Sequence, residues 1–269
     1  MRFPLIILGI IISSIFFEKE TKKFDEVEEE MFDYRVKGIG EFMARFNSEE
    51  HLKFDMGFPD SISQRRKDIL SVCNFDISRY TPDFENTINR FIETIEKEDL
   101  KLEFADSLWF ASSETEVQYK NKPIQLNLLL TPHEAMPRRF CWTLVAVGGK
   151  DIEQLADTTK WYGISPTDNE LDFMELAKKS KTQRENFAGF RKPGIDIDYL
   201  SAFVALVQAG VVTINHSNKI TYYFLNVPDF IFTVENFIRD SSNSGWLISS
   251  IVPVDEEKKE SYLKTMFNF

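Results

Sequence analysis

The sequence predicts an α+β fold in which helices pack on a curved antiparallel sheet, and it predicts that arrangement twice. Three observations carry this expectation. From Phe84 to Val147 an amphipathic helix, FENTINRFIETIEKEDL, is followed by four strand-like stretches: LKLEFADSLWFA, ETEVQYK, PIQLNLLLTP and RRFCWTLVAV. Near the C-terminus the same order returns: the helix DIDYLSAFVALVQAG runs into VVTIN, and KITYYFLNV, FIFTVENFIRD and WLISSIVPV follow as three more strands. The chain also carries 25 phenylalanines, most within these regular segments, so its cores are built on bulky rings.

The repeated order predicts two tandem domains behind a leader. Residues 1–23 form a signal peptide or membrane anchor, 24–149 a first domain, and 150–269 a second, more divergent one with a C-terminal tail. The linker falls at about Gly148 to Asp168. One larger mixed domain is the alternative that this chain length permits.

The N-terminal stretch Phe3 to Phe17 has no charge, follows Arg2 and precedes the charged run EKETKK. That layout is an export signal, shorter than the roughly 20 residues of a full span. No small-residue cleavage site follows Ser13 and Ser14, so the segment is either cut or kept as a one-pass anchor through residues 1–17. The body is therefore expected outside the cytoplasmic membrane, in the periplasm or cell envelope.

From Phe24 to Phe46, apolar residues recur at steps of three and four, as a helix with one buried face requires; Gly38 and Gly40 are its weak points. A second short helix runs from Gln64 to about Cys73. At the next one, Thr81 caps, Pro82 takes the first helical position, and Asp83 and Glu85 sit in the first turn. Its stripe is Phe84, Ile88, Phe91, Ile92 and Ile95, and it ends near Asp99. Leu100, Leu102 and Phe104 then alternate as the first strand residues. Val117 and Tyr119 lead into a turn at Lys120-Asn121-Lys122-Pro123, and Ile124, Leu126, Leu128 and Leu130 take one face of the return strand. TPHEAMP is read as the next turn. Both faces of RRFCWTLVAV are apolar, which predicts a central or doubly covered strand. In the second half, Tyr222, Phe224, Phe230, Phe232 and Trp246 are expected to face the helix carrying Ala202, Val204, Ala205 and Leu206.

Charge excludes one class of partner. The net charge is −11, from 43 acidic and 32 basic side chains, and the pairs Arg65-Arg66 and Arg138-Arg139 are isolated. Nucleic-acid binding needs a clustered basic face, so no nucleic acid is expected. His51, His133 and His216 are scattered without zinc spacing, and neither a metal nor another cofactor is expected. In an oxidising compartment Cys73 and Cys141 can bridge; otherwise they serve as two small buried hydrophobes.

Helices leading to a long strand with a bend at Asp106, Leu108 and Trp109, a hairpin with Val117 and Tyr119, and a closing strand Trp142-Thr143-Leu144-Val145 resemble the nuclear transport factor two-like superfamily. This is the cone-shaped α+β fold shared with ketosteroid isomerase. The resemblance covers Phe24 to Gly149 and, more loosely, Asp151 to Val254. It implies a cone pocket between helices and sheet, lined here by Phe42, Phe46, Phe91, Trp109, Tyr119 and Trp142. It implies no single function, because enzymes, binding modules and scaffolds all use the fold.

Two functions from different classes follow. The first is an exported, non-catalytic binding or scaffold protein that takes a partner protein or a small apolar ligand; a component of a conjugation or secretion apparatus is its more specific form. The second is an enzyme of the ketosteroid isomerase or polyketide cyclase kind, abstracting a proton beside a carbonyl. That chemistry needs a base of matched pKa, a donor to the enolate and an apolar pocket. Asp106, with Tyr119 or Tyr34, and His51 are the residues that can be cast in those roles. Each has a plainer reading as turn, core or loop surface, so the binding protein is the favoured expectation.

Overall fold

The computed structural model describes residues 35–51, 58–75, 82–156, 180–181, 198–239 and 243–267. The apolar stretch Phe3–Phe17, Tyr34 and the expected linker beyond residue 156 lie outside them. In chain order the elements are α1 (Ile39–Phe46), α2 (Gln64–Ser71), α3 (Pro82–Lys97), β1 (Trp109–Tyr119), β2 (Lys122–Met136), β3 (Arg139–Gly148), a 3-10 turn (Ile152–Ala156), α4 (Tyr199–Gln208), β4 (Val212–Phe224), β5 (Phe230–Phe237), β6 (Gly245–Pro253) and α5 (Glu256–Phe267). The fold is α+β, with one curved antiparallel sheet ordered β3-β2-β1-β4-β5-β6.

Three helices stop in the same way, on a residue with positive φ that turns the chain back. After α1, Ser48 has φ 58; its N–H donates to Arg45 O (3.0 Å) and the Glu49 N–H to Ala44 O (2.8 Å). After α3, Asp99 has φ 46 and the Leu100 N–H donates to Ile95 O (3.1 Å). After α4, Gly210 has φ 69 and the Val211 N–H donates to Leu206 O (2.9 Å). This closure satisfies the last helix carbonyls and redirects the chain at once, which is why strand or extended backbone follows so closely. At its start α4 is capped by Asp198, which accepts from the Leu200 and Ser201 N–H groups. The Ser201 hydroxyl and those two N–H groups hold the Asp198 carboxyl below the usual carboxylate range.

The chain forms two compact units that interleave in sequence. One takes the residues up to Asp106 together with Tyr223–Glu256; the other takes Ser107–Tyr222 and the chain from Glu257.

In the first of these, α1 and α3 meet β5, β6 and the end of β4. Phe42 stacks obliquely on Phe224 (6.0 Å), Phe46 lies parallel to Phe232 (5.7 Å), and Phe91 meets Phe230 and Phe232 edge-on (5.6 and 5.3 Å). All six rings are buried. The expectation that Phe224, Phe230 and Phe232 pack under the second-half helix is therefore corrected. They pack under helices from the first half, whose rings are large enough to fill the space between helix and sheet. The expected strand at Leu100–Phe104 is also corrected, because β1 begins only at Trp109. Leu102 is instead held by the buried Asn47: its N–H donates to Asn47 Oδ1 (2.8 Å), and Asn47 Nδ2 donates back to Leu102 O (2.9 Å). One amide side chain thus supplies the donor and acceptor that a neighbouring strand would have offered.

The first half of the outer edge of β6 is paired by two short parallel bridges, Val36 with Gly245 and Cys73 with Ile248. The Trp246 N–H donates to Val36 O (3.0 Å) and the Ile248 N–H to Val72 O (2.8 Å). Asn243 locks the second segment, donating from Nδ2 to Cys73 O (2.7 Å) and accepting the Phe75 N–H (3.1 Å).

In the other unit, β1 and β2 form a hairpin closed by Lys120 and Asn121, at φ 49 and 63, the two-residue turn that suits strand twist. Its core joins Val117, Tyr119, Ile124, Leu126, Leu128 and Val147 of the sheet to Ile152, Leu155, Phe203 and Val212. Three expectations change here. TPHEAMP is not a turn: β2 runs on to Met136, and the chain reverses at Pro137–Arg138, where Arg138 has φ 60. VVTIN and KITYYF are one strand, β4, because the turn-forming residues between them find partners. Ser217 Oγ lies 3.4 Å from Thr115 Oγ1, Asn215 Nδ2 donates to Glu116 (3.0 Å) and Asn218 Nδ2 to Gln125 (3.4 Å). And β3, apolar on both faces, is an edge strand. α5 was not expected at all.

Gly245 has φ +95, and a Cβ there would lie 2.2 Å from Val36 O. Gly245→Ala is expected to destabilise the fold by about 2–4 kcal/mol through clash and strain together, measured by denaturant titration. Cys73 is fully enclosed, and burial pushes its thiol from the ordinary 9.0 up to about 12. Folding therefore favours the protonated thiol: that stabilisation is complete below about pH 9 and is lost as pH rises through about 12. Thermal melts between pH 8 and 11 should show this slope, flattened in Cys73→Ala.

Candidate functional site

Alternation along β1 sends Trp109, Ala111, Ser113, Thr115, Val117 and Tyr119 to one face, and these positions are buried. Along that face the chemistry changes in steps. Val117 and Tyr119 belong to the core under α4. Next come hydroxyls: Ser113 Oγ and Thr115 Oγ1 are 2.9 Å apart, with Ser217 at hand. Beyond the small Ala111 lies a cluster of three aromatic rings. Trp109 meets Trp142 edge-on (5.0 Å, 74°), Tyr222 lies nearly parallel to Trp142 (5.9 Å, 23°), and Trp109 and Tyr222 are 6.1 Å apart.

The three rings differ in access. Trp109 is 1% exposed and Tyr222 is buried, whereas Trp142 is 41% exposed. Trp142 is thus a surface ring with a rigid aromatic backing. Burial raises the Tyr222 hydroxyl above the ordinary phenol value, so it stays protonated and a potential donor at neutral pH. The backbone here is tied down as well: Thr131 Oγ1 donates to Trp109 O (3.4 Å), and Thr143 Oγ1 to Thr131 O (3.1 Å).

The six expected pocket residues separate. Phe42, Phe46 and Phe91 are wholly enclosed in the phenylalanine core and line no opening. Trp109 and Trp142 come together. Tyr119 lies in the core cluster under α4, with the Lys120 ammonium 5.0 Å from its ring centre. Tyr222 was the missed member of the aromatic cluster. Its signal was the alternation in ITYYF, which the false break before Lys219 obscured.

The residues considered for proton abstraction are each engaged in their own surroundings. Asp106 Oδ2 accepts from Asn226 Nδ2 (3.1 Å). His51 Nδ1 sits 2.9 Å from the buried carboxylate of Asp68, which also accepts from Gln64 Nε2 (2.9 Å). His51 and Asp106 belong to one compact unit and Tyr119 to the other. Cys73 and Cys141 are both free, the first buried in one unit and the second exposed on β3 in the other. Among the described residues no group of three or more His, Cys, Asp or Glu side chains is placed to hold a metal, and no helix is long and apolar enough to cross a membrane.

Because Trp109 is enclosed and Trp142 is not, their truncations should differ in cost. Trp109→Ala is expected to destabilise by about 3–5 kcal/mol and Trp142→Ala by only about 1 kcal/mol, read by chemical denaturation.

Compared with known proteins, the chain matches no protein-family model, no curated protein and no solved structure.

Proposed function

We propose that this chain is a non-catalytic binding protein of the cell envelope, exported by its N-terminal apolar segment, that takes a partner protein or a small apolar ligand at the cluster around Trp142. The observation that carries this reading is the exposure of Trp142 above two buried rings. A large exposed aromatic held rigid by its neighbours offers contact area at little entropic cost, and such residues dominate binding energies. The resemblance to the nuclear transport factor two-like superfamily belongs to the same proposal. It is supported by the α+β class and by the repeated order of helix and three strands, α3 with β1–β3 and α4 with β4–β6. That repeat also supports a duplicated origin. The compact units then combine helices of one half with strands of the other: α1 to α3 with β5 and β6, and α4 with β1 to β3.

The test is a titration of the purified chain with the apolar fluorophore 8-anilinonaphthalene-1-sulfonate. Saturable micromolar binding is expected, weakened at least tenfold in Trp142→Ala, whose cooperative melt is kept and shifted by only the few degrees that about 1 kcal/mol entails. Equal binding by both proteins, or none by either, overturns the reading.

A further inference from the structure

We propose that Asn215 is a modification site, the acceptor of an N-linked oligosaccharide added as the chain is exported. This inference rests on the export part of the reading above and makes no use of Trp142.

Asn215-His216-Ser217 is the chain's one Asn-x-Ser/Thr triplet. Each position has a chemical role: the amide takes the sugar, the hydroxyl two places on is gripped by the transferase, and the residue between must not be proline. A triplet this short also arises by chance, so its place in the fold decides what it means.

The triplet lies on β4, inside a run from Thr213 to Ile220 in which every residue is exposed. Successive strand residues face opposite sides, so β4 is open on both faces along this run. A sugar chain leaving Asn215 therefore displaces no core. The run ends abruptly at Thr221, from which β4 is buried to its end at Phe224.

The amide is presented at the surface rather than used inside. Asn215 Nδ2 donates to Glu116 Oε1 (3.0 Å), an exposed contact. That nitrogen carries two hydrogens, and the bond uses one. The glycosylated amide keeps one N–H, so the contact with Glu116 survives the modification. Two buried asparagines supply the contrast. Asn47 is 8% exposed and Asn74 5%, and their amides are bonded to Leu102 and Arg239. Neither has room for a sugar, and neither heads an acceptor triplet: the sequences there are Asn47-Ser48-Glu49 and Asn74-Phe75-Asp76.

The co-reactant is an oligosaccharide carried on a lipid diphosphate, on the far side of the membrane to which the apolar stretch Phe3–Phe17 directs the chain. The anomeric carbon bonds to Asn215 Nδ2 as its C–O bond to the diphosphate breaks. The lipid diphosphate leaves with that electron pair, and the amide nitrogen loses one proton.

The test is translation of the full chain, with its own N-terminal segment, in the presence of microsomes that hold the lipid-linked donor and the transferase. A protease-protected product heavier by one oligosaccharide is expected, and peptide-N-glycosidase F should remove the added mass. The product is read on denatured chain, so the result does not depend on how a variant folds. Asn215→Gln and Ser217→Ala should each abolish the added mass, and Ser217→Thr should keep it. A protected chain without added mass overturns this proposal and leaves export standing. Added mass that persists in Asn215→Gln overturns it as well. A chain left open to protease overturns the proposal and the export reading together, as does modification gained only behind a foreign signal sequence. Binding at Trp142 is read separately by the fluorophore, so these outcomes leave that part of the reading untouched.

Discussion

Gly245 has no Cβ, and the backbone of Val36 occupies the place where one would be. That close approach lets a segment from the start of the described chain lie along a strand near its end. The consequences run outward from there. Val36 is followed by Gly38, which caps α1, so the position of Val36 on β6 sets where α1 begins. From that start, Phe42 and Phe46 reach Phe224 and Phe232, and Phe91 on α3 completes the aromatic core. A side chain at position 245 would push Val36 outward and take the helix with it.

Within each compact unit the same ingredients, helices and strands rich in aromatic residues, end in different states. In one, six phenylalanines close on each other, and the start of β6 beside them is paired with Val36 and Cys73. In the other, α4 covers only part of the strand face, where Val117 and Tyr119 lie, and leaves the far end to Trp109, Trp142 and Tyr222. The difference is one of supply. The first unit has two helix faces, α1 and α3, to fill its volume, whereas α4 alone supplies Phe203 with Tyr199, Leu200, Leu206 and Val207. What α4 does not cover is where Trp142 stays exposed above its buried neighbours.

Several helix boundaries were legible in the sequence because they are set by local chemistry: Pro82 at a start, Asp99 and Gly210 at the ends. The β1–β2 hairpin was legible for the same reason. The start of α1 was not, because within the run expected to be helical from Phe24 the backbone of Val36 pairs with β6 and the helix begins only at Ile39. Leu102 was misread because alternation in Leu100, Leu102 and Phe104 looks like a strand whatever supplies its partners. Here the partner is the side chain of Asn47, 55 positions earlier. The break expected within β4 failed because Asn215, Ser217 and Asn218 bond to the neighbouring strands instead of to each other, a choice no local pattern contains. Of the site, Trp109 and Trp142 were read among six pocket residues, while Tyr222 was not joined to them.

By itself, then, the sequence determined the α+β class, most helix ends, the apolar face of the β1–β2 hairpin and the excess of negative charge. These follow from periodicity, capping and composition, all of which act over a few residues. Only the tertiary structure decided which helix lies on which strands, that β3 stands at an edge although both its faces are apolar, and that Trp142 stays exposed above buried neighbours. Periodicity says which face of an element must leave water. It does not say what meets that face, because the answer depends on volumes and hydrogen-bond partners brought in from distant parts of the chain.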